Sequence, residues 1–155
     1  MKVLGVTCSG TTALLSLVED GQVVPSPVER VDVGALHEVS EELEATIEAV
    51  ARAFGQVKPD LVVLLLPEHS PQFKKTYQEI APRATLETLV RLAAVRSKIP
   101  IEVLARPTVR SLLGLPRSGD LASHVGDRIP ESVGRYWNAG RNVAALAALA
   151  GEATS

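Results

Sequence analysis

Few residues in this chain have the types and spacing for chemistry. Glu68 beside His69 pairs a carboxylate with an imidazole, a combination that can hold one metal ion or move a proton. Its plainer reading is a solvated end to the apolar run before it. Thr7-Cys8-Ser9-Gly10-Thr11-Thr12 offers hydroxyls and turn N–H groups that can cradle a phosphate, or simply a polar hairpin turn. Cys8 would act as a nucleophile only next to a base that lowers its pKa. The sequence puts none of His37, His69 and His124 beside it, so a small buried thiol is expected. Those histidines also lack zinc-ligand spacing. Lys74, Lys75, Arg83, Arg91, Arg106, Arg110, Arg117, Arg128, Arg135 and Arg141 are cations that can meet phosphates, and Arg83 and Arg91 are expected on roughly one helix face. Tyr136-Trp137, flanked by Arg135 and Arg141, can stack on a base, or pack in a core or a dimer contact.

The charge is unevenly spread. Residues 1–60 carry four basic and ten acidic side chains, whereas residues 69–141 carry twelve basic and six acidic ones. Such asymmetry suits one face to an anionic partner, although a solvated helix surface would have the same composition. The net charge is only −2 and the isoelectric point is near 5.9, so any binding face must be local.

Positioning these residues requires a folded scaffold, and the composition supplies one. The chain has 155 residues, 46% apolar and 22% charged, which suits one globular domain over 1–151 with a frayed tail at 152–155. No apolar run approaches the ~20 residues of a membrane-spanning helix. Met1 to Gly5 has no leader pattern and the single cysteine makes no internal disulfide, so a cytoplasmic location is expected.

Residues 2–8 read as a buried strand, 13–18 as a second, and Val23-Val24 with Val28 to Val31 as a third. Asp20-Gly21 is the hairpin signal between the second and third. Val39, Leu43, Ile47, Val50 and Phe54 recur at helical spacing, predicting a helix over 38–54, with Ser40 an alternative N-cap and Gly55 its end. Leu61 to Leu66 is a continuous apolar run, as in a strand covered on both faces. Residues 68–82 are polar and carry no assignable pattern. A helix follows over 85–97, a strand over 101–104 and a short helix over 108–113. Residues 116–126 read as a charged connection, and Pro130 opens a last helix to about Ala150 whose Ala-rich end can lie close against a sheet. The order βββ-α-β-α-β-α-α implies an α/β domain with one mixed sheet, an antiparallel meander plus two parallel strands, and helices on both faces.

On this order the chain resembles the RuvC-type Holliday-junction resolvases of the ribonuclease H-like superfamily. Val3-Leu4-Gly5-Val6, Ser9-Gly10 and Glu19-Asp20-Gly21 look like the family's first strand and hairpin. Pro59-Asp60-Leu61-Val62-Val63 looks like its fourth strand. Arg83 to Ala94, Ile99 to Val103 and Pro107 to Arg110 look like the helix, strand and helix that follow, and Asn142 to Ala147 like the last helix. The resemblance covers nearly the whole chain. It implies a two-metal nuclease site, with one acid in the first strand, one at the end of the fourth and one or two on the last helix, since paired Mg²⁺ or Mn²⁺ ions need anionic oxygens. Here the first-strand position is Thr7 and the last-helix matches are Asn138 and Asn142, while Glu68 follows the fourth strand late, beyond Pro67.

The leading expectation is therefore a RuvC-like domain that has lost its metal site and binds branched DNA, RNA or a protein partner as a homodimer. Lys74, Lys75, Arg83, Arg91, Arg110 and Arg141 are its candidate nucleic-acid contacts. One alternative is an active Mg- or Mn-dependent structure-selective nuclease, with Glu68 catalytic and Asp120 or Asp127 assisting. Another follows from the likeness of Ser9-Gly10-Thr11-Thr12 to the first phosphate loop of actin- and sugar-kinase-type ATPases, and is a scaffold half that pairs with a second domain.

Overall fold

The structure is a computed structural model that describes residues 1–34, 40–68 and 75–155. His37, His69 and Lys74 lie outside them. The elements run β1 (Lys2–Ser9), β2 (Thr12–Glu19), β3 (Gln22–Val24), β4 (Arg30–Asp32), α1 (Ser40–Val57), β5 (Leu61–Leu65), α2 (Tyr77–Arg96), β6 (Ile101–Leu104), α3 (Arg106–Leu113) and α4 (Arg141–Ala153). Two 3₁₀ turns, Leu121–Asp127 and Trp137–Ala139, lie between α3 and α4. One sheet has the order β3-β2-β1-β5-β6, with β4 also on β2. The first strands are antiparallel, and β5 and β6 run parallel to β1. This is the α/β architecture the sequence predicts.

Alternation along β1 sorts the core. Leu4, Val6 and Cys8 face α1 and α2, where Val50, Phe54, Leu86 and Val90 cover them. Val3 faces α4 together with Leu61, Val63 and Leu65 of β5. Helix α4 approaches very closely because Ala144, Ala145, Ala147 and Ala148 are small, and all are fully buried. A Cβ at Gly5 would collide with the Ala144 carbonyl, so glycine is required there.

At the opposite end of β1, Asp20 and Gly21 both take positive φ, as the hairpin signal requires. The Gly21 N–H donates to Glu152 of α4 at 2.8 Å. Helix α4 thus extends to Ala153, over the first two residues of the 152–155 tail.

Several boundaries differ from the sequence expectations. The third strand is two short strands, β3 and β4, each paired to a different part of β2, because Pro25 and Pro27 interrupt the ladder. Helix α1 runs past Gly55 to Val57, and Lys58 makes the left-handed exit instead. Helix α2 begins at Tyr77, well before residue 85. A Thr76–Glu79 capping box starts it, and Pro82 sits inside it. Helix α3 starts at Arg106, two residues early, with Pro107 in its first turn. Pro130 opens no helix. Positive φ at Gly134, Tyr136 and Gly140 keeps the chain irregular until Arg141.

Candidate functional site

The carboxyl ends of β1 and β5 and the start of α4 meet at one corner. The parallel register sets Thr7 beside Leu65, both buried. Gly140 precedes α4 with φ 140°, and a Cβ there would press on Leu14 and on the Thr7 methyl. Asn142, in the first turn of α4, is buried, and its Oδ1 accepts the Val143 N–H at 2.8 Å. Asn138 is exposed on the preceding 3₁₀ turn.

A cavity of about 300 Å³ opens at this corner. Thr7, Cys8, Ser9 and Gly10 line one side, and Ala139, Gly140 and Val143 another. Lys75, Glu79 and Arg83 reach it from α2 and the residues before it, and Arg106 from the start of α3. Glu79 is the only carboxylate among these lining residues, and its Oε2 accepts the Thr76 N–H at 3.0 Å. Arg106 donates from Nε to the Leu66 carbonyl at 3.2 Å. Burial lowers its pKa from the usual guanidinium value, while Glu68 opposes the shift.

Behind the cavity, Arg83 Nε lies 3.7 Å from Glu87 Oε1, one helical turn on. Arg83 Nε and Glu87 Oε2 are buried and have no hydrogen-bond partner among the described residues. Burial raises the Glu87 pKa, and Arg83 opposes it. Burial also pushes the Cys8 thiol far up, with Glu87 adding to the effect, so Cys8 is an inert core thiol.

This donor set does not fit a pair of divalent cations. Thr7 lines the cavity, its neighbour Leu65 is an apolar core residue, the Asn142 oxygen is already engaged, and among the described residues three cations line the cavity. Among the described residues no three His, Cys, Asp or Glu side chains form a metal-binding group. Glu68 is exposed and lines a neighbouring cleft of about 950 Å³ with Arg106, Arg110 and Arg117. Among the described residues it forms no three-acid group with Asp120 and Asp127, although Glu68 and Asp120 both act on the Arg106 charge. Asp127 instead faces His124 at 3.7 Å.

Two proposed phosphate contacts are structural. Arg141 is fully buried and donates to the carbonyls of Leu15 at 2.6 Å, Val133 at 2.5 Å and Arg135 at 2.7 Å. Its guanidinium also lies near the Trp137 ring, 5.9 Å from the centroid. Arg110 is buried too, and its guanidinium ties down the carbonyls of Pro116, Ser118 and Gly119. Arg141 has no exposed surface, while Arg110 keeps only a small exposed part on the cleft beside Glu68. Arg91 is exposed, while Arg83 turns inward, so the two do not share a face. Eight residues at 3.6 per turn leave them about 80° apart. Trp137 is buried in the core, whereas Tyr136 is exposed under the Arg30 guanidinium at 5.0 Å.

No sequence pattern singles out Leu65, Glu79 or Glu87, or sets Arg106 apart from the other cations. Leu65 needs the register to be placed. The other three depend on where α2 and α3 begin, and both start earlier than their patterns suggest.

No protein-family model matches the chain, and no curated protein does. Solved structures do. Thermus thermophilus RuvC in complex with a Holliday junction substrate superposes with a TM-score of 0.73 at 16% identity, covering 99% of this chain and 93% of that one. The chain has the RuvC-type ribonuclease H-like fold. A second Thermus thermophilus RuvC structure gives a TM-score of 0.70 at 17% identity, covering 99% and 94% of the two chains. The yeast mitochondrial Holliday junction resolvase Ydc2 gives 0.62 at 11% identity, covering 96% and 76%.

Proposed function

We propose that this protein binds branched nucleic acid through a RuvC-type scaffold without cutting it. The observation that carries the reading is the corner itself, with no carboxylate at Thr7, Leu65 or Asn142 and with Lys75, Arg83 and Arg106 around the cavity. A neutral hydroxyl or amide is a poor substitute for carboxylate at Mg²⁺, whereas ammonium and guanidinium groups attract the phosphate backbone directly. The likeness to a RuvC bound to a Holliday junction gives the branched substrate as the form to test.

The binding unit in this reading is a homodimer. Tyr77, Ile80, Leu92 and Val95 stand exposed along the outer side of α2. A second copy packing there by a twofold axis would cover them, and a junction with two equivalent arms matches such symmetry.

The test is a labelled four-way DNA junction incubated with the protein and Mn²⁺, read on native and denaturing gels. The expected result is a shifted band with intact strands. Site-specific cuts that Glu68→Ala abolishes would replace this reading with an active nuclease.

A further inference from the structure

We infer that the cavity at the carboxyl ends of β1 and β5 is a metal-independent phosphate site, in which Lys75, Arg83 and Arg106 hold one phosphodiester of a bound strand. The strand as the source of the phosphate rests on the nucleic-acid reading above; the cavity's preference for an oxyanion does not. Among the described residues, three cations line a cavity of about 300 Å³ against one carboxylate, Glu79, whose Oε2 already accepts a backbone N–H.

Two of the cations also keep donor capacity that no acceptor among the described residues fills, although Glu87 stands near Arg83 and Glu68 and Asp120 near Arg106. Arg106 is partly desolvated, with one donor on the Leu66 carbonyl. Arg83 has a buried Nε without an acceptor, and at 3.7 Å from Glu87 Oε1 it is beyond hydrogen-bond distance. Desolvated guanidinium groups short of acceptors are costly alone and favourable beside an oxyanion. The opposite wall, Ser9 and Gly10, is a turn with Gly10 at φ 58° and no side chain to close the entrance. The fold's reactive corner thus holds the charge pattern of a phosphate clamp, with side-chain cations rather than bound metals supplying the positive charge.

The experiment uses the intact protein in EDTA throughout. Thermal unfolding is followed with inorganic phosphate against chloride at matched ionic strength, and junction binding is titrated over salt. Native protein, Arg106→Gln and Lys75→Gln are compared, with Arg91→Gln as the control outside the cavity. Lys75 is exposed, so its variant folds even if Arg106→Gln does not.

The expected result is a phosphate-dependent rise in Tm that both cavity variants lose and Arg91→Gln keeps. Junction affinity should fall in Lys75→Gln, with the log–log salt slope shallower by about 0.9. If phosphate raises Tm in this pattern but no junction binds, the anion site stands and the nucleic-acid reading falls. If the junction binds natively and equally to every variant with no phosphate response, this inference is overturned while that reading stands. If neither phosphate nor junction has any effect, both are overturned.

Discussion

Arg141 illustrates how far a side chain's position changes its meaning. A cation near the start of the last helix looks like a phosphate contact, yet here it bridges the carbonyls of Leu15, Val133 and Arg135 from inside the core. Burial lowers its pKa, with Glu29 at 4.0 Å opposing. Replacing it with methionine leaves three carbonyls without this donor and leaves Glu29 only the Arg135 N–H. We expect Arg141→Met to lose about 3–5 kcal/mol in urea unfolding. Junction affinity of the remaining folded fraction should be unchanged. Glu87 gives a second prediction at this scale. Its pKa in the fold is raised above the ordinary 4.5, so folding favours the protonated form. The resulting stabilisation is complete below 4.5 and is lost as pH rises through the folded value. Glu87→Gln removes that window. The variant should therefore gain stability relative to the native chain as pH rises through the weakly acidic range, measured as urea midpoints at stepped pH.

At the scale of elements, the decisive contact is α4 on β1. Gly5 against the Ala144 carbonyl allows no methyl group. Gly5→Ala should push α4 off the sheet and cost on the order of 1–3 kcal/mol or more, read by chemical denaturation. The same displacement moves Gly140 and Asn142, so phosphate binding at the cavity should weaken alongside stability. These contacts also show what the sequence made legible. Apolar runs and the Asp20-Gly21 turn revealed the strands, and residue types alone showed that Thr7 and Asn142 are not carboxylates. The register that sets Leu65 beside Thr7 leaves no trace in β5, whose uniformly apolar run does not mark which residue pairs with Thr7. Helix α2 hid its first two turns because Pro82 reads as a break, which removed Glu79 from view. Tyr136 concealed the irregular approach to α4, because an aromatic residue gives no sign that it will adopt φ 57°.

The whole molecule concentrates positive charge locally while remaining slightly acidic overall. Its net charge is −2, and acids predominate in residues 1–60. Binding should therefore engage a short stretch of backbone. We expect a log–log salt slope of about −3 to −5 for a junction, from anisotropy titrations at several salt concentrations, well short of a slope near −10. A steeper slope would mean that cations beyond the cavity, such as Arg91 and Arg117, form a continuous track.

The Asp20-Gly21 turn has a geometric corollary. It sits beside the start of β1 and receives the carboxylate of Glu152, so the first strand and the last helix both end there. The cavity lies at the other end of β1, eight residues away, or roughly 25 Å of extended chain. Anything joined to either end of the polypeptide thus leaves on the far side from the cavity. A tether at one end and a fluorophore at the other would leave its entrance clear, and a short linker between them would let the chain be reopened elsewhere by circular permutation.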